Sequence, residues 1–106
     1  MTTTDRPSVV QTILSQIGGM NLLAISGGRV EPLDENTIRL PVRQGYAVEV
    51  EYRPVPDYYT VRRTFTRAGV RTVKREMSDV DFVSIGKQAY HASCYHDEWG
   101  EAPKEK

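Results

Sequence analysis

Between residues 46 and 52 the chain reads Tyr-Ala-Val-Glu-Val-Glu-Tyr: Tyr46, Val48, Val50 and Tyr52 alternate with Ala47, Glu49 and Glu51. A period of two puts the large apolar side chains on one face of a β-strand, whereas a helix would scatter them around its axis. Any fold must therefore supply a sheet with one face turned to a core. Pro54-Val-Pro-Asp57 breaks the pattern, and a second run, Tyr58 to Arg67, follows. Pairing the two runs so that Arg53 faces Tyr58 sets Tyr52 against Tyr59, Val50 against Val61 and Tyr46 against Phe65, with Glu49 against Arg62 on the other face. All are favourable cross-strand pairs. A three-residue loop, Ala68-Gly69-Val70, then leads into Val70 to Met77, with Phe65 opposite Val73, Val61 opposite Met77 and Arg62 opposite Glu76.

The remaining elements arrange themselves around this meander. Ser8 and Gln11 have capping-box spacing, with Pro7 just ahead, and Val9, Val10, Ile13, Leu14 and Ile17 form a helical stripe that Gly18-Gly19 ends. Met20 to Ser26 is a short apolar run closed by Gly27-Gly28; Asp34-Glu35-Asn36 turns the chain into a strand over Thr37 to Val42, where Pro41 favours an edge or a strand end. Ser78 with Asp81 marks a second helix start. That helix is expected from Val80 to about Tyr95, with Phe82, Ile85, Ala89 and Ala92 on one side and Val83, Tyr90 and Cys94 widening the face. The expected fold is α+β: an N-terminal helix, a four- or five-stranded antiparallel meander and a C-terminal helix, forming a two-layer sandwich with both helices on one sheet face. With 106 residues the chain is expected to be one domain, 1–106, whose ends 1–7 and 97–106 fray.

Fourteen basic and fourteen acidic residues cancel, so the chain is no polycation. No run approaches the roughly 18 apolar residues that cross a bilayer. MTTTDRPS lacks a basic segment followed by an apolar one, and a lone cysteine builds no internal disulfide framework. A reducing cytoplasm, without membrane contact, is the expected setting. The distribution of charge is less even: Arg62, Arg63, Arg67, Arg71, Lys74 and Arg75 follow one another with no acid between them.

Gln11-Thr-Ile-Leu-Ser-Gln-Ile-Gly-Gly19, the following MNLLAISGG and the later AYHASCYHD resemble a group of small proteins encoded by bacteriophages and prophages. Members have a T-I-L-x-Q-I-G-G-like start followed by a strand that ends near a glycine, as at Ile25-Ser26-Gly27. Where the group carries an Asp-Gln pair early in its last helix, this chain has Val83-Ser84. The resemblance implies a phage product acting in a bacterial host cell. It brings no assigned activity and no catalytic residues.

Both histidines and the only cysteine fall within His91-Ala-Ser-Cys-Tyr-His96. A thiolate and two imidazoles suit zinc. On a helix, however, His96 lies about 200° around from Cys94, since each residue advances about 100°. Unwinding after Ser93 would return it, with Asp97 or Glu98 as further ligands; without that, Cys94 is a small apolar residue and the histidines sit near a helix C-terminus, where the dipole favours a protonated imidazole. The glycine pairs lack phosphate-loop spacing, Asp79, Asp81, Asp97 and Glu98 read as cap and solvent charges, and neither enzyme chemistry, metal nor cofactor is expected.

The register drawn above places Arg63 opposite Arg75 and Arg67 opposite Arg71, four guanidinium groups on one face. Directly opposed like charges destabilise a sheet, and a local conflict in an otherwise consistent pattern marks a place where function is expected. Projection of the hairpin tip into solvent, or carboxylates from the helices, would also relieve it. The function expected from the arginines is a non-enzymatic nucleic-acid-binding module: Arg63, Arg67, Arg71 and Arg75, with Arg62 and Lys74, meet the phosphates of DNA or RNA, and Tyr58 or Tyr59 stacks on bases. The alternative is a protein-interaction module in which the same arginines meet an acidic surface of a host bacterial protein; zero net charge favours it.

Overall fold

The computed structural model describes residues 9–55, 57–94 and 98–102. Two helices, α1 (Val9–Ile17) and α2 (Gly19–Ser26), precede five strands, β1 (Glu31–Asp34), β2 (Thr37–Arg43), β3 (Tyr46–Arg53), β4 (Tyr58–Arg67) and β5 (Val70–Val80), and α3 (Ile85–Ala92) follows. The strands form one antiparallel sheet in the order β1-β2-β3-β4-β5. This is the expected α+β meander, with one helix more than expected. Ile13 and Ile17 of α1, Ile25 of α2 and Ile85, Ala89 and Ala92 of α3 close over Ile38, Leu40, Val48, Val50 and Val61, all buried in one apolar cluster. Burying an isoleucine of this kind contributes roughly 1.5–3 kcal/mol. Ser8, and with it the capping box, lies outside the described residues.

The run Met20 to Ser26, which the resemblance gives as a strand ending near Gly27, is a helix. Its Met, Leu and Ala residues favour helix and show no alternation. Gly18, at φ 93° and ψ 145°, turns the chain by 88° between α1 and α2, a conformation that leaves the first helix without breaking the second. Asn21 then donates its side-chain amide to the free carbonyl of Ile17 at 2.9 Å. At the far end Gly27, left-handed at φ 67°, donates to Leu23 O at 2.9 Å while Gly28 donates to Leu22 O at 3.2 Å. Pro41 sits in β2 beyond the residues that pair with β1, beside a register irregularity between Pro41 and Arg43, so its missing N–H lies on a locally unpaired side.

The β3–β4 register has the expected pairs throughout, from Arg53 with Tyr58 to Tyr46 with Phe65. The β4–β5 register agrees only near its base, where Val61 pairs with Met77, Arg62 with Glu76 and Arg63 with Arg75. Towards the tip, Thr64 rather than Phe65 faces Val73, and Arg71 faces Thr66 rather than Arg67. The cause is the turn. Ala68 and Gly69 both have positive φ, 53° and 81°, which closes a two-residue loop between Arg67 and Val70 in place of the expected three-residue one. The extra residue is taken up at an irregularity between Arg63 and Thr64, where β5 carries Lys74 unopposed. A one-residue slip exchanges faces, so Arg71 leaves the face that holds Arg63 and Arg75.

Two further expectations fail towards the C-terminus. The last helix does not begin at Val80: Val80 pairs with Tyr59, and the helix starts at Ile85. Two residues, Ser78 and Asp79, stand opposite the single Thr60, with Asp79 at φ 59°, so the strand continues through a bulge with one extra residue. Phe82 and Val83, expected on the buried side of the helix, lie instead in an exposed turn where Asp81 accepts a bond from Ser84 N at 2.9 Å. The segment expected to fray from residue 97 is docked where it is described, over 98–102. Trp99 is 6% exposed within the core cluster and donates its indole N–H to Gln88 at 2.9 Å; Glu101 and Glu76 exchange two backbone bonds of 2.9 Å. A large aromatic surface removed from water offsets the ordering of these few residues.

Candidate functional site

The arginine hairpin is an internally bonded structure. Arg63, 5% exposed, donates Nε to Ala92 O at 2.7 Å and Nη2 to His91 O at 3.1 Å and Cys94 O at 2.8 Å, with its guanidinium carbon 5.5 Å from the centre of the Trp99 ring. It thus serves the carbonyls that the end of α3 leaves open, where the helix dipole is negative. Arg75 donates to Trp99 O at 2.9 Å and Gly100 O at 2.8 Å. Arg63 and Arg75 do face each other, as the sequence predicts, and the repulsion is met by backbone oxygens of α3 and the docked tail.

On the opposite sheet face Arg71 forks onto Glu49 at 2.8 and 2.6 Å, and this bonding, first among the causes, raises the arginine's pKa further above its ordinary range. Glu49 is 2% exposed beneath it. Arg62 bridges Glu51 at 2.7 Å and Glu76 at 3.5 Å. Arg67, Lys74 and Tyr58 remain exposed, Lys74 with its ammonium 5.8 Å from the Phe65 ring centre. The four guanidinium groups expected on one face are therefore divided: Arg63 and Arg75 under the helix end, Arg71 over Glu49, and Arg67 at the tip. His91 offers its carbonyl to Arg63, and Cys94 Sγ lies 3.5 Å from Tyr90 O. Among the described residues no three metal-ligating side chains converge, and His96 and Asp97 lie outside them.

A different place gathers recognition chemistry. A cleft of about 310 Å³ opens between Val9, Thr12 and Gln16 of α1, Tyr52 and Tyr59 at the paired ends of β3 and β4, Asp57 of the intervening turn and Phe82 of the β5–α3 turn. The alternation of β3 and β4 puts both tyrosines on the helix side, where α1 reaches them. Their rings lie 5.5 Å apart, tilted by 56°. Each hydroxyl is committed: Tyr52 donates to Asp57 Oδ1 at 2.5 Å, and Tyr59, buried, donates to Gln16 Oε1. Asp57 takes the left-handed φ of 78° that aspartate tolerates, with its N–H bonded to Arg53 O at 2.9 Å.

Both phenols resist ionisation. The Tyr52 pKa is raised first by its bond to Asp57, then by burial and the Asp57 charge; that of Tyr59 is raised first by burial, then by the charges of Tyr52 and Asp57. At neutral pH the cleft thus holds two neutral phenols and a carboxylate, the one charged group among its described lining residues.

Sequence reasoning reads Tyr52 and Tyr59 as a sheet pair, Asp57 as part of a chain break and Phe82 as core. The contribution of α1 has no local signal at all, because the contact between Gln16 and Tyr59 spans 43 residues. No protein-family model matches the chain, and no curated protein or solved structure matches it either.

Proposed function

We propose that the chain is a non-enzymatic protein-interaction module whose contact surface centres on the cleft between α1, the β3–β4 turn and the β5–α3 turn. One observation carries the reading: two tyrosine rings held by hydrogen bonds stand beside turns that expose Phe82 at 64%, Val83 at 77% and Val55 at 87%. Soluble proteins concentrate large exposed apolar side chains at contact sites, and buried-edge aromatics are the usual anchors there. The hydroxyls of Tyr52 and Tyr59 are both engaged as donors that fix the rings in place, an arrangement suited to binding. The resemblance to phage and prophage proteins makes a host bacterial protein the partner that fits.

A second reading, contact with a nucleic acid through the hairpin, is favoured by the exposure of Arg67, Lys74 and Tyr58. The two separate cleanly. Immobilised protein is expected to retain a bacterial partner from nuclease-treated lysate, to lose it in Phe82→Ser, and to leave labelled single- and double-stranded oligonucleotides unbound at about 50 mM salt with about 100 μM protein, a concentration at which nonspecific binders are normally occupied. Oligonucleotide binding that disappears in the double variant Arg67→Ser, Lys74→Ser would overturn the first reading and establish the second.

A further inference from the structure

We infer that the cleft is a socket for one cationic side chain, an arginine or a lysine on the partner protein; the inference rests on the interaction-module reading and names what the module grips. The walls supply ring faces. The half-buried Tyr52 ring is tilted by 56° to the buried Tyr59 ring behind it, which backs it without wholly covering it, and Phe82 lines the same space with most of its surface exposed. A cation within about 6 Å of such a ring centre is attracted by its negative face.

Polarity points the same way. The two phenol protons are spent on Asp57 Oδ1 and Gln16 Oε1, which fixes the rings and leaves the phenol oxygens and the carboxylate as acceptors. An anion entering the cleft would meet Asp57 and no cationic side chain among the described lining residues. A neutral apolar group would strip water from Asp57 without replacing it, which is unfavourable for a charge. A guanidinium or ammonium group satisfies both the carboxylate and the ring faces, and arginine, planar and weakly hydrated, does so better than lysine. Size limits the occupant as well: 310 Å³ is at the low end of the roughly 300–1,000 Å³ of ligand pockets, space for a side chain rather than an extended segment. Arg53, the basic residue at the end of β3, lines a separate depression with Tyr58, Thr60, Ser78 and Asp79, so it does not fill this one from within.

The test is a titration of the full chain, followed by NMR of the ring carbons and protons of Tyr52, Tyr59 and Phe82. The probes are the N-acetyl methylamides of arginine, lysine and citrulline, the last a neutral isostere of arginine. The arginine probe is expected to move all three rings with a dissociation constant on the order of 1–10 mM, and citrulline to bind at least about fivefold more weakly. Asp57→Asn, which keeps a residue tolerant of positive φ, should remove that difference. Equal binding of arginine and citrulline would overturn the cationic assignment and leave the interaction module standing. Rings unmoved by any probe would also overturn it. A partner retained equally by wild type, Asp57→Asn and Phe82→Ser would remove both the assignment and the cleft-centred function.

Discussion

Replacing Arg63 by methionine keeps an unbranched apolar stem and removes the guanidinium with its donated bonds, among them those of 2.7, 3.1 and 2.8 Å to the carbonyls of Ala92, His91 and Cys94. Bonds from a charged group contribute roughly 1.5–3 kcal/mol each, but these three share one guanidinium and are not additive. The deletion leaves buried carbonyl oxygens without a donor, each costing about 1–3 kcal/mol, and with the side chain 5% exposed against Trp99 the group of them amounts to a loss on the order of 3–5 kcal/mol. A domain of this size has about 5–15 kcal/mol in total. A substantial share of that margin would go, and thermal unfolding followed by circular dichroism should show a midpoint lower by ~12–25 °C. Arg63→Lys should fall between, because an ammonium cannot reach three divergent carbonyls with a planar fork. A methionine variant that melts within about 3 °C of the wild type would refute the structural role and return Arg63 to the set available to a ligand.

Three further perturbations separate other parts of the structure. Arg71→Ser uncovers Glu49 and should destabilise by roughly 1–3 kcal/mol in urea unfolding, a figure discounted because Arg71 is itself 43% exposed, whereas Arg67→Ser should stay within about 0.5 kcal/mol. Gly86→Ala places a methyl 2.6 Å from Ile17 O and 2.7 Å from Asn21 Nδ2, so despite a helix-propensity gain of about 1 kcal/mol it should lower stability; a variant melting above the wild type would show that α3 can shift away from α1. For the tyrosines, a folded-state pKa above the ordinary value of about 10 means that the folded state keeps its protons longer, so their contribution is complete below pH ~10 and is lost as pH rises through the folded values. Alkaline unfolding should therefore be less steep in Tyr59→Phe than in the wild type, and identical slopes would exclude the burial of that phenol.

The meander was legible because its information is local. Alternation fixed the face of Tyr46, Val48, Val50 and Tyr52, and one turn of known length fixed every pair between β3 and β4. The stripe Val9, Ile13, Leu14 and Ile17 likewise gave α1, whose Ile13 and Ile17 are buried. Failures arose where a single residue of loop length or one long-range contact decided the outcome. Alanine at position 68 gives no sign of accepting φ 53°, so the two-residue turn and the compensating bulge at Lys74 were not readable, and with them went the placement of Arg71. Trp99 sat in a polar C-terminal stretch whose local composition indicates fraying; its partners, Gln88 and the ring-facing Arg63, lie 11 and 36 positions back.

The arginine conflict shows how such misplacements propagate into function. Opposed Arg63 and Arg75 do mark an unfavourable contact in the isolated sheet, but the groups that relieve it are carbonyl oxygens of α3 and of residues 99 and 100, donors' partners that no composition or charge count displays. Once those bonds are formed Arg63 and Arg75 tie the helix end and the tail to β4 and β5, while Arg62 and Arg71 are paired with glutamates on the other face, in keeping with a chain whose charges sum to zero. The rule that local inconsistency marks function then applies to what stays unrelieved after folding. That residue of conflict is elsewhere: Asp57 in a left-handed backbone conformation beside two hydrogen-bonded tyrosines, and Phe82 and Val83 turned to solvent two and three residues past the end of the longest strand. An apolar side chain in water and a carboxylate against ring faces would each be made favourable by the same event, the arrival of the proposed partner, which would cover the first and offer a cation to the second.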